Sequence, residues 1–299
     1  MTKWPRWTIV LLPIASAACT PPGGGRLAAA HDAAPQDSSF TDPRCADIRG
    51  YQADAMEPFL TRDGRYLFFN SSNAPGVDTD IHYARVVDEL TFDYVGPLRG
   101  ANSGVLDGVP TLTASGDLYF VSIRSYDTTA STVYRARFID GVVDQVRLVP
   151  GLPRERTVVI FDVEVSPDGR TLYYARGIFT GGPVPRAADL QVARRVGDGF
   201  ELSREQTALL AHVNTADALE YAASISADER ELYFTRLYGT SPAIYRSVRA
   251  SRVAAWGPPA RIAAIHGFVE APTLSADGQR LYYHQRVNGR FVICRVRRR

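Results

Sequence analysis

Lysine is almost missing from this chain. Lys3 is the single lysine among 34 basic residues, so every later basic side chain is an arginine, which reads as base-composition bias rather than function. Cysteine is scarce as well. The three present (Cys19, Cys45 and Cys294) stand far apart, so no Cys-x-x-Cys redox or zinc motif exists. There is no H-E-x-x-H, no G-x-S-x-G and no Walker loop, and the five histidines are scattered singly. His82 falls in an ordinary strand column and His31 in a polar leader, so no metal and no cofactor is expected. The formal charge is +2, and Lys3 and Arg6 account for it, which gives no support for a nucleic-acid partner.

Only one apolar run could concern a membrane. Lys3 and Arg6 precede the apolar residues 8–18, a stretch too short for a span of about 20 residues but suited to a secretory signal. The run closes on Ser16-Ala17-Ala18-Cys19, which resembles a bacterial lipoprotein signal and implies lipidation of Cys19, with Ser16 where that motif usually has Leu. Residues 1–18 are thus expected to be a signal peptide. Residues 19–42, rich in Pro, Gly, Ala and Ser, are expected to be a disordered tether, and 43–299 one folded domain. Thr20 after the cysteine resembles outer-membrane sorting, so the expected address is the cell envelope, lipid-anchored, facing the periplasm or the surface.

The remainder repeats. A polar turn followed by Leu and aromatic residues occurs at Asp63, Ser115, Asp168, Asp228 and Asp277, at spacings of 52, 53, 60 and 49 residues. Each repeat divides into four strand-like pieces, in the first 58–61, 65–70, 80–86 and 92–98, with an Asp-Gly turn joining the first two. The third piece ends in a small-residue column of Ala84, Ala136, Ala193, Ser247 and Cys294, a mark of close packing. The fourth is looser, marked by Phe92, Val146, Phe200 and Trp256. Four-stranded units at this period predict an all-β, five-bladed β-propeller. The repeats resemble the WD-like repeat family of the periplasmic Tol propeller and many envelope proteins. That resemblance is informative for fold and poor for function, and the Tol propeller's six blades prevent its partner contacts from being carried over.

The fifth repeat runs out after its third strand. Residues near 44–51 are expected to supply the missing outer strand and close the ring, which would place Cys45 beside Cys294 and permit a disulfide. Arg295, Arg297, Arg298 and Arg299 are expected to form a frayed, solvated end.

For chemistry, the candidates are the acids before the innermost strand of each blade: Glu57, Asp107, Asp162, Glu220 and Glu270, with Glu164 nearby. They would stand at one mouth of the channel and could serve as the acid and base of a glycoside hydrolase. They lie at −6, −8, −6, −8 and −7 from the turns, so their directions are not equivalent. The sequence therefore favours a non-catalytic scaffold that binds a protein or envelope polymer, with a carbohydrate-active enzyme as the alternative. Segments 70–80, 124–131 and 178–188 are the expected contact loops. Partner identity and oligomeric state are not legible.

Overall fold

The computed structural model describes residues 31, 33–74, 76–180 and 184–299. The expected signal peptide, the lipidation of Cys19 and the first part of the tether lie outside the described residues.

Five antiparallel sheets follow one another around a ring. The first holds Met56–Leu60, Tyr66–Asn70, Ile81–Val86 and Thr91–Pro97; the second Asp107–Leu112, Asp117–Ser122, Val133–Ile139 and Val142–Leu148. The third holds Val158–Val165, Thr171–Ile178, Ala187–Val196 and Gly199–Leu202; the fourth Leu219–Ile225, Glu231–Tyr238, Ser241–Val248 and Ala260–Ile262. The fifth is Val269–Leu274, Arg280–Val287 and Arg290–Arg298, completed by Phe40–Cys45 from the other end of the chain. Each innermost strand packs against its two neighbours, including the last against the first. The molecule is a five-bladed β-propeller.

The repeated turn works as its chemistry dictates. In four blades a hydroxyl (Thr61, Ser166, Ser226 or Ser275) donates to the turn aspartate, which also accepts the amide two residues on. Gly64, Gly169 and Gly278 take the left-handed conformation the turn requires, whereas the fourth blade places Glu229 there, at φ 57°. The small-residue column is buried throughout, and Trp256 is buried too, but it precedes the short outer strand of the fourth blade.

The leader is more structured than its composition suggests. Gln36–Asp37 pairs in parallel with Ala260–Ile262 of the fourth blade, Phe40–Cys45 closes the fifth, and Asp47–Arg49 pairs in parallel with Thr91–Pro97 of the first. Residues 36–49 therefore form a belt across three blades. The closing strand lies earlier than residues 44–51, and the tether expectation fails over its last part. Phe40 explains why: it is buried against Tyr233, beneath the Arg298 guanidinium. His31 is also buried, with Nε2 2.6 Å from the Ser241 carbonyl and Nδ1 2.9 Å from the Tyr245 hydroxyl.

Cys45 stands directly opposite Cys294 and is joined to it by a disulfide, Cα atoms 3.8 Å apart. The terminal arginines are not frayed. Arg295 is fully buried and pairs with Asp42 and Glu89, Arg297 pairs with Glu89, and Arg298 with Glu231. The belt (Asp42), the 87–90 turn (Glu89) and the fourth blade (Glu231) bring the carboxylates that hold them.

Candidate functional site

The innermost strands all start at one face of the ring, and the same face receives every connection from a second to a third strand. Those connections are long in the first three blades (71–80, 123–132 and 179–186) and tight turns in the other two. The second carries a four-residue helix, Tyr126–Thr129. Of the third, residues 181–183 lie outside the described residues.

Every innermost strand breaks register where it enters the ring, as a β-bulge does. In four blades the residue six before the turn is left-handed: Glu57 (φ 50°), Val109 (53°), Ala222 (51°) and Ala271 (53°). A non-glycine residue there costs about 1–2 kcal/mol, and a β-branched one such as Val109 is a clear outlier. The strain has a structural counterpart. Each of these amides donates to a side chain of the preceding blade: Glu57 N–H to His284 Nδ1 (3.0 Å), Val109 N–H to Asn70 Oδ1 (3.0 Å), Ala222 N–H to Asp162 Oδ2 (3.1 Å) and Ala271 N–H to Thr235 Oγ1 (3.0 Å). This set of inter-blade hydrogen bonds crosses four of the five blade boundaries around the channel. Three of its acceptors occupy one column of the second strand, seven residues after the turn. The third blade has Ala175 in that column, and Asp162 of its inner strand supplies the acceptor instead.

The five candidate acids separate into two groups. Asp107 and Glu220, at −8, turn away from the channel. Asp107 meets Arg124 at 2.5 Å and accepts from Ser103; Glu220 meets Arg236 at 2.8 Å and accepts from Thr215. Both arginines lie over aromatic rings of their own blade, Arg124 over Phe120 and Tyr134, Arg236 over Phe234 and Tyr245. The second and fourth blades thereby share a device that no motif announced: Asn-Ser/Thr ahead of the acid, then an arginine after the second strand's aromatic residues. Burial still pushes the Glu220 carboxyl up to about 7, despite Arg236.

Glu57, Asp162 and Glu270 are brought together at the channel mouth with Tyr221 and His284. Glu57 accepts from Asn70 and, at 3.3 Å, from Asn73; Glu270 accepts from the Tyr221 hydroxyl and from His284 Nε2 at 3.1 Å. Because His284 Nδ1 accepts the Glu57 amide, its proton resides on Nε2. Burial raises Asp162 to about 7, and burial followed by the charges of Asp162 and Glu270 holds Glu57 well above the usual carboxylate range. Burial and Glu270 likewise raise the Tyr221 phenol.

The space these groups enclose is small. At the mouth it measures about 10 Å³, and midway, between Pro58, Pro110 and Pro272, about 30 Å³. That is room for one water or little more. The far end is strapped shut. Arg62 of the first blade reaches Glu164 of the third at 2.8 Å and the carbonyls of Leu112 and Val165, while Glu164 also accepts from Thr111 Oγ1 (2.7 Å) and the Ile225 amide (3.3 Å). Glu164 is therefore a cross-brace of four blades. Among the described residues, no cluster of three or more His, Cys, Asp or Glu could hold a metal ion.

Sequence reasoning missed His284 and Asn70. Their signal was a second-strand column, seven residues after each turn, that is polar in four of the five blades (Asn70, Ser122, Thr235 and His284). His82 does occupy a plain strand position, stacked on Phe69 and bonded to the Tyr94 hydroxyl at 2.8 Å.

The sequence matches no protein-family model and no curated protein. Solved propellers share the fold at low identity. A glycoside hydrolase is 12% identical with a TM-score of 0.58, over 91% of this chain and 94% of that one. A thermostable family-43 glycoside hydrolase is 13% identical with a TM-score of 0.54, over 84% and 91%. TolB from Acinetobacter baumannii is 14% identical with a TM-score of 0.45 over 84% of this chain, which spans 58% of its length. At these identities the likeness is one of fold alone.

Proposed function

We propose that the chain is a lipid-anchored envelope protein whose propeller is a rigid, non-catalytic display platform. It binds a protein or an envelope polymer through the face carrying connections 71–80, 123–132 and 179–186. The observation that carries this reading is the closed lumen. A sugar or other small ligand needs a cleft of about 300–1,000 Å³, whereas the space between the three acids is about 10 Å³. The Asp162 carboxylate and the Glu57 amide join inter-blade hydrogen bonds, and Glu270 holds Tyr221 and His284, so all three acids have partners in the scaffold. The raised loops over three blades and the tight turns over the other two leave an uneven face, and a prebuilt face spends little binding energy on ordering itself.

The test is cross-linked affinity capture from detergent-solubilised envelopes with the tagged full chain, against a tether-only control and a Tyr126→Ala/Asp127→Arg variant. A stoichiometric partner, reduced with the loop variant, is expected. Recovery identical to the tether-only control would overturn the reading.

Glycoside hydrolysis stands as the second reading because three carboxyls converge and Asp162, raised to about 7, can hold a proton near neutrality. It requires the mouth to open. Polysaccharide cleavage by the wild type that Glu57→Gln and Glu270→Gln both abolish would establish it and displace the scaffold.

A further inference from the structure

The face opposite the channel mouth carries two sets of turns, those joining first to second strands and those joining third to fourth. Backbone hydrogen bonds tie the sets together in every blade, from the amides of Val86, Phe138, Arg195, Arg249 and Arg298. Among the described residues, five large aliphatic side chains are more than half exposed: Val87, Ile139, Val142, Val196 and Val253. All five stand in the third-to-fourth turns of the first four blades. Exposed valines scattered singly are ordinary, but five confined to one face point to an interaction surface. The sequence keeps step with them. An arginine stands one or two positions before the first of these aliphatics in each turn: Arg85, Arg137, Arg195 and Arg252.

The acids of this face are engaged. Asp140 pairs with Arg65 and Asp168 with Arg252, Asp198 lies 3.8 Å from Arg135, and Asp88 accepts the Leu90 amide. Asp228 and Asp277 are held by their own turns. Positive charge is left over. Arg85, Arg170 and Arg230 are exposed, Arg195 is half-buried, and none of the four has a carboxylate in ion-pair range among the described residues. The Arg195 guanidinium meets the Tyr119 hydroxyl and the Gly197 carbonyl, and that of Arg230 meets the Arg249 carbonyl at 3.4 Å. Apolar tips flanked by guanidinium groups match the layered chemistry of a bilayer surface, where acyl chains lie beneath anionic headgroups.

We propose that this face docks on an anionic lipid bilayer, with the aliphatic tips entering the headgroup layer and the unpaired arginines meeting lipid phosphates. The geometry admits it for an anchored chain. The leader joins the fold at the mouth-face rim, where His31 contacts the Ser241 carbonyl. The twelve residues from Cys19 to His31 span up to about 40 Å, and an eight-residue blade strand such as Val158–Val165 is about 27 Å long. An anchor at Cys19 therefore reaches past the blade, and the contact loops of the display reading then face away from the membrane. That consequence rests on the display reading, whereas the docking does not.

Tryptophan reporters in the full chain test it, with Cys19→Ser so that no acyl anchor holds the protein on the vesicle. Val142→Trp and Val253→Trp report on this face and Val77→Trp on the mouth face, all at exposed positions where the fold is retained. The probe is a vesicle of equal parts phosphatidylcholine and phosphatidylglycerol with brominated acyl chains, which quench an inserted indole. Saturable quenching of Val142→Trp and Val253→Trp, with Val77→Trp unchanged, is expected. Arg85→Gln with Arg230→Gln should raise the half-saturating lipid concentration about thirtyfold, or about fivefold for each arginine, at unchanged melting temperature. Equal quenching of all three reporters, quenching of Val77→Trp alone, or no quenching overturns the proposal, as does a half-saturating concentration unchanged by the arginine variant. Failure here leaves the loop-face reading standing, since affinity capture reads the other face.

Discussion

Asp107 and Glu220 precede their blades much as Glu57, Asp162 and Glu270 precede theirs, but the two groups meet different surroundings. In the second and fourth blades an arginine is laid over two aromatic rings and delivered to the acid, so each acid has a cation beside it, although burial still raises Glu220 to about 7. In the first, third and fifth blades no cation is supplied. The carboxyls face one another across a nearly filled lumen, and burial favours the protonated forms of Asp162 and Glu57. A difference of one or two positions relative to a turn, at a β-bulge, therefore separates an ion pair between strands from an acid of the channel. The lesson concerns solvation: a carboxylate removed from water must find a cation or keep a proton.

Breaking the matched side should have the largest effect. Arg236→Ala leaves Glu220 buried without its partner and should cost about 3–5 kcal/mol in urea unfolding. A loss under about 1 kcal/mol would mean that the pair is not desolvated as drawn. Arg124→Ala is the milder form, because the Arg124 side chain is 22% exposed against 7% for Arg236. A loss of about 1–3 kcal/mol is expected by the same assay.

The unmatched side is probed by pH. Asp162 holds its proton up to about pH 7 when folded but only to about 3.8 when unfolded. The native chain therefore binds more protons in that window, and this contribution to stability is complete below pH 4 and lost as pH rises towards 7. Asp162→Asn removes the titration while its amide oxygen can still accept from Ala222. Its stability relative to wild type should improve steadily from pH 4 to pH 7. A pH-independent difference between the two would show that Asp162 is not titrating in that range. Arg49→Ala sets the floor: the Arg49–Asp93 pair is about half exposed on both sides, and its loss should change stability by less than about 0.5 kcal/mol.

Much of the architecture was legible because repetition is local. The turn of hydroxyl, aspartate and glycine, the apolar second strand and the small-residue column each recur at short range, and five recurrences imply five blades. Residues 36–42 were not legible as ordered, since their polar composition does not register a single well-placed Phe40 or parallel pairing to strands more than 200 residues away. The arginine run at the end was misleading for a related reason: Asp42 and Glu89, its partners, are distant in the chain. In the site, the acids were visible as types, but His284, Asn70 and Arg236 were not, because their roles depend on the neighbouring blade or on an aromatic platform.

By itself, then, the sequence determined the repeat, its four-stranded unit and the chemistry of its turns, since these depend on backbone preference and side-chain period. The tertiary structure decided which acids are paired and which are enclosed. It also decided that the lumen is closed and that the leader becomes a belt. Each of those outcomes is set by burial and by charges brought together from different blades. Desolvation is a property of the assembled ring, and no local stretch of residues encodes it.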